Sequence, residues 1–218
     1  MPRRARLLLQ GVPLHIIQRG HNRQPCFLDD SDRLTYLGIL REHAAATGCA
    51  IHAYVLMTNH VHLLASFEDI SAAPDLIRLT GQQYSSYFNR QHCRCGTLWD
   101  GRFRSCPVPS ERYLLTCQRY IEMNPVRAQM VDRPVHYQWS SYRGNAGICR
   151  DELVTPHDVY VWLGRTASER CTAYRGLFID NLTEQQLRML RVATNGNYIV
   201  GSGPAGNSTT DGAKVNFV

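Results

Sequence analysis

Hydrophobic and polar positions alternate with two different periods along the first 150 residues. Short segments with the two-residue period of a strand alternate with longer ones whose apolar residues recur every three or four positions, as in an amphipathic helix. In chain order they predict strand 14–19, helix 30–47, strands 51–57 and 60–66 joined by a tight turn, helix 72–91, a strand region 98–108 bent near residue 100, and helix 110–124. The order β-α-β-β-α-β-α predicts a ferredoxin-like α+β sandwich with an extra C-terminal helix.

The chain beyond this sandwich has a different character. Thr166 with Glu169, and Thr183 with Gln186, have the spacing of capping boxes, which predicts two short helices. From Asn195 onward Gly, Ser, Thr and Asn dominate without apolar periodicity, which is typical of disorder. We therefore divide the chain into a main domain (1–145), a helical accessory extension (146–194) and a disordered tail (195–218).

The charge of the chain is basic, unevenly placed and almost entirely due to arginine. The net charge is +6, and Lys214 is the single lysine among 24 basic residues. Residues 1–150 hold 18 basic and 11 acidic side chains, whereas residues 151–218 hold 6 and 7. Arginine presents a flat, bidentate donor pair to phosphate. Although a GC-rich coding bias also produces arginine, a basic body with a neutral remainder indicates a polyanionic partner for the body.

The N-terminal segment and the cysteines indicate the cellular compartment and argue against one cofactor. The N-terminus superficially resembles a signal peptide, but Gln10 and Pro13 break the apolar run and no cleavage site of small residues follows. No segment has the length of a membrane span, so we predict a cytoplasmic protein that does not bind membranes, with its cysteines reduced. Cys93 and Cys95 lack a second pair at zinc-finger distance, which disfavours structural zinc.

The first candidate site is the pair His60 and His62 on a predicted strand. The strand period places both imidazoles on one face and Val61 on the other, in the core. Two such imidazoles are roughly 6–7 Å apart at the backbone and can converge on a divalent ion. The pattern alone fits two unconnected histidines at least as well.

The second candidate site lies on the predicted helix 110–124. At about 100° per residue, Tyr113, Tyr120 and Asn124 project within about 40° of one another at the edge of its apolar stripe. Glu122 lies roughly 160° from Tyr120 and is therefore an unsuitable base for it. A tyrosine that packs its ring and leaves its hydroxyl in water has the same pattern.

Together these residues suggest one chemistry. Two imidazoles and the amide oxygen of Asn124 would form an open site for Mg²⁺ or Mn²⁺ against a phosphate, with the hydroxyl of Tyr120 as nucleophile. Arginines near the predicted elements are candidates for DNA binding: Arg19, Arg23, Arg102, Arg104, Arg119 and Arg127.

Several longer segments resemble a known family. They are LHIIQRGHNRQ at 14–24, IHAYVLMTNHVHLL at 51–64, WDGRF at 99–103, RYIEMNPVRA at 119–128 and WSSY at 139–142. In this order they resemble the single-tyrosine HUH transposases, and in particular their REP-associated tyrosine transposase branch. Residues 155–203 are similar to the usual C-terminal extension of that group.

The resemblance implies a fold, a reaction and a substrate. The family fold is a ferredoxin-like α+β domain. His60 and His62 match its histidine pair, Tyr120 its nucleophile and Asn124 its third metal ligand. The implied reaction is divalent-metal-dependent cleavage of single-stranded, hairpin-forming DNA, which gives a 5′-phosphotyrosine bond and a free 3′-hydroxyl that can rejoin strands. This implies a bacterial protein that acts at the nucleoid, and we favour a monomer over a homodimer.

Two other functions remain open from the sequence. A domesticated, non-catalytic binder of DNA hairpin repeats would share the arginine-rich surface but would not need the histidines, the tyrosine and the asparagine. A histidine-based phosphoesterase fits less well because the strand lacks a third alternating histidine and no paired His-x-Thr motifs occur.

Overall fold

A four-stranded antiparallel sheet forms the centre of the molecule. The computed structural model describes residues 6–109 and 111–201. The strands are β1 (Leu14–Arg19), β2 (Cys49–Met57), β3 (His60–Phe67) and β4 (Arg104–Pro107), arranged in the order β2-β3-β1-β4. Since β1 pairs in antiparallel fashion with both β3 and β4, and β2 with β3, the sheet has the predicted ferredoxin-like topology.

Two long helices cover one face of the sheet, and shorter helices cover the other. The first layer consists of α1 (Asp30–Ala46) and α2 (Ala73–Gln91). The remaining helices are α3 (Glu111–Glu122), α4 (Asn124–Arg127), α5 (Tyr142–Asn145), α6 (Asp158–Val161), α7 (Ala167–Gly176) and α8 (Glu184–Gly196); short 3₁₀ turns occur at His21–Arg23, Ile70–Ala72 and Pro134–His136. Tyr120 belongs to α3 and therefore lies on the side of the sheet that α3 to α8 cover.

The strand period divides the side chains of the sheet between two apolar cores. On β3, Val61 and Leu63 are buried in the core formed with α1 and α2. Leu64 belongs to the second core, where it packs with Cys117 and Ile121 of α3 and with residues of α8. His62 shares the parity of Leu64, so its imidazole lies on the α3 side of the sheet.

The structure confirms most of the predicted elements, and the fourth strand and the third helix differ most from their predicted ranges. Ladder pairing in the fourth strand is limited to Arg104–Pro107, because the chain turns at Gly101 with a φ of 62°. The predicted helix to residue 124 is divided: α3 ends at Glu122, and α4 begins at Asn124 with Pro125 in its first turn. Proline lacks the N–H that would continue the hydrogen-bond ladder of α3.

The extension is built around the two predicted capping boxes. Thr166 and Glu169 cap α7 reciprocally, and Thr183 and Gln186 do the same for α8. The segment after α8 returns to the sheet, where the N–H of Val200 donates to the carbonyl of Pro107 and its side chain is buried. Residues 195–201 of the predicted tail thus pack against the domain, while residues 202–218 lie outside the described part of the chain.

Both outer strands of the sheet are covered by other parts of the chain. Along β2, the N–H of Leu56 donates to the carbonyl of Trp139, and Ser141 and Thr155 donate their N–H groups to carbonyls of the same strand. Along β4, residue 200 occupies one edge position. Among the helices that the structure describes, none combines the length and apolar character needed to cross a bilayer.

Candidate active site

The two histidines of β3 lie side by side on the α3 face of the sheet. The ring centroids of His60 and His62 are 5.0 Å apart, and the rings are inclined by 67°. Val61 between them is buried in the opposite core. His62 is 3% exposed, whereas His60 is partly exposed. The inner histidine is therefore buried and the outer one lies closer to solvent, and both line the same cavity.

Hydrogen bonds within the turn region orient the ring of His60. The amide Nδ2 of Asn59 donates to the carbonyl of Arg23 at 2.9 Å, which leaves its Oδ1 facing His60. Since Oδ1 can only accept, Nδ1 of His60 carries a proton and donates to it over 2.7 Å. Burial, together with the charge of Arg19, lowers the pKa of His60 to about 4. The imidazole is therefore neutral near pH 7, with its lone pair on Nε2.

His62 has a partner that the sequence analysis did not select. Its Nδ1 lies 2.9 Å from Nε2 of His15 on β1, and the two rings are nearly parallel with centroids 5.1 Å apart. Nδ1 of His15 lies 3.0 Å from the hydroxyl of Thr194 on α8. Burial lowers the pKa of His62 well below its usual range and that of His15 to about 3. His62 is therefore neutral, which is the state in which an imidazole can bind a metal ion.

Tyr120 reaches the same place from α3. Its ring centroid is 5.9 Å from that of His62 and 5.8 Å from that of His15, in edge-on contacts. The guanidinium carbon of Arg127 lies 4.3 Å from the centroid of the Tyr120 ring, and Nη2 of that arginine donates to the carbonyl of Tyr120 at 2.8 Å. The tyrosine is thus held between the imidazoles and a cation.

Asn124 joins the group although α3 ends before it. Met123 has φ −85° and ψ 0°, so the chain remains close to helical geometry between the two helices and the side chain of Asn124 still turns toward the cavity that Tyr120 lines. Its Nδ2 and Nη1 of Arg127 are buried atoms without a hydrogen-bond partner in the described part of the protein. The amide nitrogen of Asn124 therefore makes no hydrogen bond to another described residue.

One cavity of about 350 Å³ collects these side chains. Its walls include His60, His62, Tyr120, Asn124, Arg19 and Arg127. Helix α8 closes one side with Arg191, Thr194 and Asn195, which the sequence analysis did not identify. No sequence signal could have found them, because the capping box predicts that α8 exists but not which element it covers.

The other candidate arginines are not among the described residues that line this cavity. Arg102 and Arg104 border a separate cavity of about 460 Å³ near the end of α8, where Arg104 donates to the Oδ1 of Asn195 at 2.6 Å. Arg119 donates to the carbonyl of Asp180. Arg23 lies in the turn after β1 and offers its carbonyl to Asn59. A DNA role for these four would require a surface that extends beyond the cavity.

Glu122 faces away from the site, as the helical wheel predicts. Its carboxylate is fully buried and accepts hydrogen bonds from Ser141, Asn145 and Tyr174. Burial raises its pKa to about 7. The residue connects α3 to the segment after α4 and to α7, and does not serve Tyr120 as a base.

A second group of metal-type ligands has a structural explanation. Asp29, Asp32 and His92 place potential ligand atoms within 4.8 Å of one another. Asp29 and Asp32 form the reciprocal cap of α1, and Nε2 of His92 lies 2.9 Å from a carboxylate oxygen of Asp32. Their oxygens already accept hydrogen bonds from backbone N–H groups, so the cluster fixes the start of α1.

The donor set of the cavity can hold a divalent cation. The imidazoles of His60 and His62 and the amide oxygen of Asn124 offer nitrogen and oxygen ligands, and the remaining positions are open to water or phosphate. The arginines at the rim add positive charge for a polyanion.

Comparison with known proteins identifies the family. The model of the IS200-like transposases matches residues 9–124, a stretch that contains both histidines, Tyr120 and Asn124. The chain belongs to the IS200-like transposase family. A comparison with curated proteins finds no match.

One solved structure supports the fold of this IS200-like transposase. A REP-associated tyrosine transposase bound to a REP hairpin superimposes with a TM-score of 0.56 at 16% identity, over 73% of this chain and 93% of that chain. A putative transposase from Deinococcus radiodurans R1 is 24% identical, with a TM-score of 0.39, over 56% of this chain and 96% of the other. The first match extends beyond the family region into the C-terminal part of the fold.

Proposed function

We propose that this transposase cleaves and rejoins single-stranded, hairpin-forming DNA through a 5′-phosphotyrosine intermediate. The observation that carries the proposal is the placement of Tyr120 beside His62, with ring centroids 5.9 Å apart, in a cavity that Asn124 and Arg127 also line. A tyrosine, a ligand set and a cation in one polar cavity are the groups that phosphoryl transfer needs.

The proposed reaction consists of two displacements at phosphorus. In the first, the phenol oxygen of Tyr120 attacks the scissile phosphate, the bond from phosphorus to the 3′-oxygen breaks, and the departing oxygen takes up a proton while the phenol proton passes to solvent. In the second, the oxygen of a 3′-hydroxyl attacks the phosphotyrosine and gives its proton to solvent, the bond from phosphorus to the phenol oxygen breaks, and the departing phenolate of Tyr120 takes up a proton. The covalent bond conserves the energy of the phosphodiester, so strand joining needs no nucleotide cofactor.

His60, His62 and Asn124 would hold the divalent metal, Mg²⁺ or Mn²⁺. When bound, the ion supplies Lewis-acid neutralisation of the charge that develops on the phosphate oxygens. The chain itself contributes orientation, because Asn59 and His15 restrain the two imidazoles. The unpartnered Nη1 of Arg127 is a donor available to a non-bridging oxygen.

The proposed substrate is hairpin DNA. The structural relative is described as bound to a REP hairpin, and the main domain of this chain carries the net positive charge. Arginine-rich surface charge favours binding to the phosphate backbone. Because Tyr120 and His62 of one chain lie together, a single copy contains all the proposed catalytic groups, which supports a monomer.

A cleavage assay tests the proposal. A labelled single-stranded hairpin with Mg²⁺ or Mn²⁺ should give a covalent adduct that persists in denaturing gels, and Tyr120→Phe should abolish the adduct while leaving hairpin binding within about twofold. Adducts that persist in this variant would overturn the nucleophile. Hairpin binding without cleavage by the unmodified chain would instead indicate the alternative function, a non-catalytic binder of hairpin repeats.

A further inference from the structure

A buried relay of hydrogen bonds connects the candidate metal site to the C-terminal extension. It runs from His62 on β3 to His15 on β1, over 2.9 Å, and from His15 to Thr194 on α8, over 3.0 Å. The three side chains are at most 3% exposed. Because the side chains are buried, the two ring nitrogens of His15 and Nδ1 of His62 take their hydrogen-bond partners within the relay.

Thr194 sets the direction of the relay. Its Oγ1 lies 2.8 Å from the carbonyl oxygen of Leu190, one turn earlier in α8, and a carbonyl can only accept. The single hydroxyl proton therefore serves Leu190, and Oγ1 must accept from Nδ1–H of His15. The thiol of Cys106, 3.3 Å away, can donate to the remaining lone pair of the hydroxyl.

The direction then determines the proton position on each ring. A neutral imidazole carries one N–H, so His15 with its proton on Nδ1 has a lone pair on Nε2. That lone pair accepts from Nδ1–H of His62, which leaves Nε2 of His62 unprotonated and able to bind a cation. The opposite direction would lose the bond to Leu190 and place a proton on Nε2 of His62.

We propose that Thr194 and His15 are positioning residues that fix the tautomer and ring orientation of His62, so that the C-terminal extension completes the metal site. The inference rests on the proposed function, since it assigns His62 as a ligand. It goes further by giving a role to α8, which lies about 60 residues beyond the family match that ends at residue 124. His60 obtains the same tautomer independently, from Asn59 in the neighbouring turn.

The decisive measurement is the tautomer of His62 in metal-free protein. Long-range ¹H–¹⁵N spectra of histidine-labelled protein at pH 7.5 distinguish a protonated Nδ1 from a protonated Nε2 without any DNA or metal. We expect His15 and His62 both to carry the proton on Nδ1. A proton on Nε2 of His62 would overturn the inference.

Substitutions at the far end of the relay test its effect on the metal. Thr194→Val removes the hydroxyl at nearly constant volume and should weaken Mn²⁺ binding, followed by electron paramagnetic resonance, by about 10–100-fold. Thr194→Ser keeps the hydroxyl and should bind like the unmodified chain. The matched control is Thr80→Val, which makes the same change at a fully buried threonine on α2. Equal Mn²⁺ affinity in both valine variants would overturn the inference.

Variants of His15 separate its acceptor role from its packing. In His15→Gln, an amide oxygen can replace Nε2 as the acceptor for His62, so we expect Mn²⁺ binding within about fivefold of the unmodified chain. His15→Phe fills the space without an acceptor and should lose about 10–100-fold. Equal losses in the two variants would show that packing alone matters and would reject the relay.

These readouts also separate the relay from the proposed function. If the tautomers are as expected but no tyrosine adduct forms with any hairpin, the proposed function fails and the relay remains. If adducts require Tyr120 while His62 carries its proton on Nε2, the relay fails and the proposed function remains.

Discussion

The guanidinium of Arg127 lies over the ring of Tyr120, with 4.3 Å between its central carbon and the ring centroid, while its Nη2 bonds the carbonyl of the same tyrosine. The arginine lies seven residues after Tyr120, and because the chain stays close to helical geometry at Met123, the two side chains share one side of the α3–α4 segment. A cation held in this position by both the backbone and the ring is already ordered before a phosphate arrives.

Arg127→Ala should therefore reduce DNA cleavage by about 100-fold or more, because it removes preorganised charge beside the nucleophile. Arg127→Lys should give an intermediate rate, since lysine keeps the charge but not the planar contact with the ring. Single-turnover adduct formation is the measurement. Arg150→Ala, at an exposed position on the chain after α5, is the control and should match the unmodified rate. Equal rates for the alanine variants at 127 and 150 would contradict this role.

Substitution of either histidine of β3 should abolish metal binding, whereas substitution of a histidine elsewhere should not. His60→Ala and His62→Ala should each abolish detectable Mn²⁺ binding and metal-dependent cleavage, because each removes one of two nitrogen ligands. His43→Ala on α1, where the partly exposed imidazole is hydrogen-bonded to Gln83, should leave both unchanged. Cleavage that survives both substitutions on β3 would refute the metal site.

Glu122 should be a determinant of stability rather than of chemistry. Glu122→Ala removes the buried carboxylate that accepts hydrogen bonds from Ser141, Asn145 and Tyr174, and we expect the free energy of unfolding to fall by about 3 kcal/mol or more. Glu122→Gln keeps one acceptor oxygen and should lose less. Urea denaturation measures both. A larger loss for glutamine than for alanine would contradict the hydrogen-bond account.

Stability should decrease in mild acid, and His52 should account for part of the decrease. Burial lowers the pKa of His52 from 6.5 to about 4, while its ring bonds the carbonyl of Thr155 and the hydroxyl of Ser66. Between pH 6.5 and about 4 the unfolded chain binds a proton at this residue that the folded chain does not. The free energy of unfolding therefore falls as the pH falls through this window.

His52→Asn removes that titration and keeps a donor near the position of Nδ1. We expect lower stability at pH 7.5 but a pH dependence between 6.5 and 4 that is reduced by up to one proton, or about 1.4 kcal/mol per pH unit. Urea denaturation at a series of pH values gives the slope. An unchanged slope would show that His52 is protonated in the folded state.

The sequence was sufficient where a local period determines the result. The two-residue period of β3 correctly placed His60 and His62 on one face opposite Val61, and the wheel of α3 placed Tyr120 at the edge of its apolar stripe. Glu122 was correctly directed away from the tyrosine. These relations depend only on the geometry of one element.

Relations between distant elements could not be predicted in the same way. His15 and Thr194 are 179 positions apart, and their contact depends on how α8 packs against the sheet. A capping box predicts that a helix starts but not which surface it covers. The end of this helix near Asn124 was predicted from Pro125, but the periodic pattern did not show that α4 begins there and keeps Asn124 directed toward the cavity.

The coverage of the sheet edges has a consequence for association. An open edge strand offers its N–H and C=O groups to any extended chain, including a second copy of the same protein. Here the segments near Trp139 and Thr155 occupy backbone groups of β2, and residue 200 occupies one on β4. At these positions the backbone groups of both outer strands are already hydrogen-bonded and do not offer themselves to an incoming strand.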